Sequence, residues 1–100
     1  MSPRFSPGAL RVLDELDGNP ENDGLIEAIW DVIDLVAEHP NSAQARRRAL
    51  RTPKGHPVWL VPIPFKQATE TWVLLWQPQE DEALIAYIGP DDFRPWRNES

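Results

Sequence analysis

The spacing of apolar side chains changes abruptly near the middle of this chain, and that change most constrains what it can fold into. Up to residue 40, apolar positions recur every three or four residues, the period of one helix face. From Val58 they gather into short runs rich in Val, Ile, Leu and aromatics, bounded by turn residues. Helices followed by strands, rather than alternating with them, place a chain in the α+β class. With 100 residues there is room for one domain and one core. The expected domain spans residues 1–94, with 95–100 a short C-terminal tail.

The first helix starts at Ser6-Pro7, since serine accepts bonds from helix N-terminal amides and proline suits the first helical position. Leu10, Leu13 and Leu16, with Ala9 and Val12, form its apolar face, and Asp14, Glu15 and Asp17 its wet one. Gly18-Asn19-Pro20 ends it. Upstream there is room only for a short edge strand around Arg4 and Phe5. Asp23 is the expected cap of a second helix running from about Leu25 to Glu38. There Ile26, Ile29, Trp30, Ile33, Val36 and Ala37 repeat at helical spacing, Leu25, Val32 and Leu35 widen the stripe, and Glu27, Asp31, Asp34 and Glu38 mark the wet face. His39-Pro40-Asn41 stops it. The short loop between the two helices makes them an antiparallel hairpin.

Ser42 to Arg51 reads either as a further short helix, on its alanines, or as an ordered loop; Thr52 to Pro57 is a turn cluster. Three strands follow, Val58–Ile63, Thr71–Gln77 and Ala83–Ile88, with hairpin-length links at Lys66 to Glu70 and Pro78 to Glu82. An antiparallel meander is the simplest topology. Pro62 and Pro64 lack ladder donors and mark an irregular or edge end of the first run. The strands are apolar on both faces: Trp59, Val61 and Ile63 alternate with Val58 and Leu60, and Trp72, Leu74 and Trp76 with Val73 and Leu75. One face receives the helix hairpin. The other is expected to stand open as an apolar interaction surface for a partner protein or a second copy in a homodimer.

Charge is segregated within a formal net −6. Residues 1–40 carry −7, residues 41–70 carry +5 and residues 71–100 carry −4. The basic residues Arg46, Arg47, Arg48, Arg51, Lys54 and Lys66 therefore read in two ways: as a solvated face paired with the acidic helices, or as an RNA- or partner-docking patch. The absence of cysteine excludes disulfides, thiolate metal sites and cysteine nucleophiles, and the two histidines argue against a multi-histidine metal centre. No cofactor and no metal is expected. There is no phosphate loop, dinucleotide fingerprint or HExxH pair. Ser6, Ser42 and Thr69 have no local histidine partner, and Asp91-Asp92 reads as a tight turn. With no apolar leader at the N-terminus and no run near the roughly 18 residues of a membrane span, no membrane contact and a cytoplasmic location are expected.

The order of these elements resembles the RelE/ParE superfamily of bacterial toxins from type II toxin–antitoxin modules, from Arg4 to about Arg94. Phe5-Ser6-Pro7-Gly8-Ala9-Leu10 with Leu13 and Leu16 looks like the family's opening strand and first helix. Ile29 to Val36 followed by His39-Pro40 is similar to its second helix. Ala45 to Leu50 and then Val58 to Pro62 resemble the approach to its central strand. Trp72 to Trp76 and Ile85 to Gly89 resemble its last two strands.

The resemblance implies a helix hairpin packed on a small, mainly antiparallel twisted sheet. It also implies a cognate antitoxin as partner, and a cellular target that is the ribosome with its mRNA in RelE-like members or DNA gyrase in ParE-like ones. Cleaving members place basic side chains on the strands against the scissile phosphate, because cleavage by a 2′-hydroxyl needs a proton acceptor, cationic stabilisation of phosphate charge and an acid for the leaving oxygen. Here Val73 stands where arginine is common, and Pro90, Asp91 and Asp92 follow Gly89. Phe93 and Trp96 stand near the end where an ionisable group is wanted. The nearest replacements are Lys54, His56, Lys66, Arg94 and Arg97; of these His56 and Arg94 are the candidate catalytic groups, with Arg46, Arg47, Arg48, Arg51, Lys54 and Lys66 for docking. The expected role is a toxin-like component acting through protein binding. The alternatives are a ribosome-dependent mRNA endonuclease with relocated basic residues and a non-toxic binding module.

Overall fold

The computed structural model describes residues 2–51, 54–65 and 71–91. Their elements run in the order β1 (Ser2–Phe5), α1 (Pro7–Asp17), a 3-10 turn (Pro20–Asn22), α2 (Asp23–Glu38), β2 (Arg48–Arg51), β3 (Pro57–Ile63), β4 (Trp72–Gln79) and β5 (Glu82–Pro90). One mixed sheet has the strand order β1-β5-β4-β3-β2. The fold is α+β. β3, β4 and β5 form the antiparallel meander; β2 adds antiparallel to one edge, and β1 adds parallel to β5 on the other.

Ser6 makes the turn from β1 into α1. Its amide donates to the Ile85 carbonyl at 3.0 Å, extending the β1–β5 pairing. Its Oγ accepts from the Ala9 amide at 3.2 Å and donates to the Ala86 carbonyl at 3.1 Å. Ala86 is the extra residue of a bulge, since Leu75 pairs with Tyr87 while Trp76 pairs with Ile85. One side chain thus caps a helix and ties it to the irregular point of the neighbouring strand.

α2 begins two residues before the expected Leu25, at Asp23, and Asp23 is not its cap. The 3-10 turn, opened by Pro20 and by the Glu21 amide donating to Asn19 Oδ1 at 3.0 Å, delivers Asp23 already in helical geometry. The cap position falls to Asn22, whose side-chain amide donates instead to the Leu16 carbonyl of α1 at 3.2 Å. Leu25, Ala28, Ile29, Val32, Ile33 and Val36 form the buried stripe of α2. It packs on the sheet face presented by Val61, Ile63, Leu74, Trp76, Ala83, Ile85 and Ile88. Each fully buried aliphatic side chain there contributes about 1.5–3 kcal/mol.

The opposite sheet face is not open. Val58, Leu60, Val73 and Leu75 lie there as a second buried cluster, each between 0% and 4% exposed, with Leu50 and Tyr87 packed against them. The expected apolar docking platform on that face is therefore absent. Tyr87 lies over Gly89 and its hydroxyl donates to the Pro90 carbonyl at 2.7 Å.

β2 also departs from expectation: Arg48–Arg51 is neither helix nor loop but an edge strand. It pairs Leu50 with Val58 and Arg48 with Leu60. Because β2 stops opposite Leu60, the far side of β3 is unpaired at Pro62, so a missing donor there costs no ladder bond. Pro78 sits in the stretch of β4 that pairs with β5 alone, beyond the end of the β3 pairing.

Candidate functional site

The basic segment is anchored before it is displayed. Ser42 Oγ donates to the His39 carbonyl at 2.8 Å and accepts from the Ala45 amide at 3.1 Å, and the Arg46 amide donates to the Ser42 carbonyl at 3.1 Å. This makes a single helical turn, not a helix. Trp76, fully buried on β4, donates its indole N–H to the Ala45 carbonyl at 2.7 Å. The Arg46 guanidinium stacks 5.1 Å from the Trp59 ring centroid and 5.8 Å from that of Trp76. It also donates through Nε to the Pro40 carbonyl at 2.8 Å and through Nη2 to Asn41 Oδ1 at 3.0 Å. Arg46 therefore braces this turn.

The remaining basic side chains are spread along the β2–β3 hairpin. Arg47 is exposed and lines a cleft of about 460 Å³ with Asp31, Leu35 and Pro62. Strand alternation places Arg48, beside Leu60, and Arg51, beside Pro57, on opposite faces of the sheet. Arg51 Nη1 donates to the Gly55 carbonyl at 2.9 Å, closing a turn in which Gly55 takes a φ of 88°. Lys54 and His56 are exposed in the same turn, and His56 borders a shallow cleft with Gln77, Pro78 and Gln79. Lys66 and Arg94 lie outside the described residues, as do Phe93, Trp96 and the tail 95–100. Among the described residues no cluster of three or more His, Asp or Glu side chains could hold a metal ion, and no helix is long and apolar enough to cross a membrane.

The second surface lies on the helices. Leu10 and Trp30 are the exposed large apolar side chains among the described residues, at 48% and 42%. Both line one groove of about 290 Å³ between α1 and α2, with Phe5, Leu13 and Ile26 along it and Asp14 and Asp17 at its rim. Phe5 meets Trp30 edge to face, ring centroids 5.8 Å apart, a preferred aromatic geometry. The carboxylates of the two helices form no ion pair with Arg46, Arg47, Arg48, Arg51 or Lys54; Arg4 pairs instead with Glu82, at 3.3 Å. Among the described residues the basic stretch and the acidic helices thus form no ion pair, and they meet where Arg47 and Asp31 line one cleft.

Helical spacing puts Leu10 and Trp30 on the apolar faces of α1 and α2. A finer signal was present. Glu27, Trp30 and Asp34 share one helical stripe, and Leu10, Asp14 and Asp17 share another. A large apolar residue set among carboxylates on a helix faces water.

No protein-family model, curated protein or solved structure matches this chain at a significant level.

Proposed function

We propose that this chain acts through protein binding, with its helix hairpin as the contact surface, and that it is the toxin-like component of a bacterial type II toxin–antitoxin module. The observation that carries the binding reading is that Leu10 and Trp30, the exposed large apolar side chains among the described residues, share one groove. Solvent-facing Trp beside Phe and Leu in a concave site is the kind of anchor from which protein interfaces draw most of their energy. The module reading rests on the order of elements, a short strand, a helix hairpin and then an antiparallel meander. The closed far face leaves the hairpin as the surface for an antitoxin.

Inducing this chain alone in a bacterial host tests the module reading. Growth should stop, and co-expressing the product of the adjacent reading frame should restore it. Cut messages during arrest would transfer the reading to an endonuclease. Unimpaired growth at confirmed soluble expression would remove the toxin.

A further inference from the structure

The groove between α1 and α2 has a chemical character that its apolar floor does not reveal. Residues 1–40 hold nine carboxylates against two arginines, Arg4 and Arg11, and neither helix contains a lysine. Asp14 and Asp17 stand on the groove wall itself. Glu27 and Asp34 are exposed beside Trp30, one turn before and one turn after it on α2. None of these four carboxylates has a cationic partner among the described residues. An apolar slot bordered by unpaired negative charge selects a partner by sign, because a like-charged segment is repelled before it can dock.

From this charge complementarity we propose that the hairpin groove receives a cationic amphipathic helix of a partner protein, its apolar side chains on Phe5, Leu10 and Trp30 and its Lys or Arg residues facing Asp14, Asp17 and Asp34. The 11 residues of α1 and 16 of α2 give walls of about 16 and 24 Å, so the occupant needs about three helical turns. The proposal builds on the protein-binding reading of the hairpin, and it specifies the partner as basic and helical.

Two synthetic peptides of identical apolar pattern provide the test, one with Lys and one with Glu at every polar position, titrated into the full chain by fluorescence anisotropy. The Lys peptide should bind, with affinity falling as salt is raised, and the Glu peptide should not. The exposed substitutions Asp14→Lys with Asp17→Lys should weaken the Lys peptide roughly tenfold or more and let the Glu peptide bind. Trp30→Ala should weaken whichever peptide binds. Circular dichroism on each variant keeps a folding defect from passing as lost binding. Equal binding of both peptides, or affinities unmoved by Trp30→Ala and by the charge reversal, would overturn the proposal. So would sedimentation showing a dimer that Trp30→Ala dissolves, which would give the groove to a second copy. So would peptide binding that appears only once residues 92–100 are deleted, which would give it to this chain's own terminus. Growth on induction reads the module separately: a chain that binds the Lys peptide without arresting growth loses the toxin assignment and keeps the groove.

Discussion

The buried indole of Trp76 donates to the carbonyl of Ala45 at 2.7 Å, joining two residues 31 positions apart. That bond fixes the irregular turn after α2 to the middle of the sheet, and so sets where Arg46 and Arg47 emerge. Trp76→Phe keeps most of the packing and removes the donor, leaving a buried carbonyl unpaired. The expected loss is about 1–3 kcal/mol, read as a lower urea midpoint. Amide exchange at Ala45 and Arg46 should accelerate more than at Ile29 or Ile33 in the helix core. Uniform acceleration would mean that the bond serves the whole core rather than this turn.

Ser6 carries two separable duties, and substitutions can part them. Ser6→Ala removes both the cap acceptor for the Ala9 amide and the donor to the Ala86 carbonyl, with an expected cost of about 1–3 kcal/mol. Ser6→Asp restores an acceptor, and aspartate is a good cap, yet it sets a carboxylate against that carbonyl. It should therefore fail to recover wild-type stability in thermal melts. Full recovery would show that only the cap matters.

Gly89 and Tyr87 are coupled on the far face. A Cβ at Gly89 would lie 2.8 Å from Tyr87 Oη and 3.0 Å from its Cζ. Gly89→Ala must therefore push the ring and weaken the hydrogen bond from Tyr87 to the Pro90 carbonyl, costing about 1–3 kcal/mol. In a Tyr87→Phe background the closer of the two contacts is gone, so the same change should cost less. The difference, measured as a double-mutant cycle by urea denaturation, is the coupling; additive costs would mean that the ring moves aside freely.

Those parts of the molecule differ in how far the sequence announces them. The meander and both helices follow from apolar spacing, because their side chains must be buried and burial imposes a period. The cap at Ser6 follows from local chemistry alone. β2 could not be read the same way. Its segment Arg48-Ala49-Leu50-Arg51 has only Leu50 to bury, and it becomes a strand because β3 offers a free edge. The bond from Ser6 to the bulge at Ala86 likewise joins residues 80 positions apart. The site was legible in charge and not in contacts. The acidic and basic segments are evident along the chain, but that Arg46 would be held between Trp59, Trp76 and the Pro40 carbonyl depends on residues far apart in sequence. The far face misled because the runs are apolar on both sides whether their second side is open or closed.

The positions of the arginines separate structural from docking roles. Arg46→Ala loses two hydrogen bonds and two ring contacts, and should cost about 1–3 kcal/mol. Arg48→Gln, Arg51→Gln and Lys54→Gln alter exposed side chains and should each stay within about 0.5 kcal/mol of wild type; Arg51 is the one among them with an internal bond, to the Gly55 carbonyl. Combined, these three substitutions strip charge from the β2–β3 hairpin without touching the helix groove. If function runs through the hairpin helices, the triple variant should arrest growth as wild type does, and Trp30→Ala should lose rescue by the partner. If the triple variant grows freely while its urea midpoint is unchanged, the β2–β3 hairpin is the working surface and phosphate docking displaces protein binding as the mechanism.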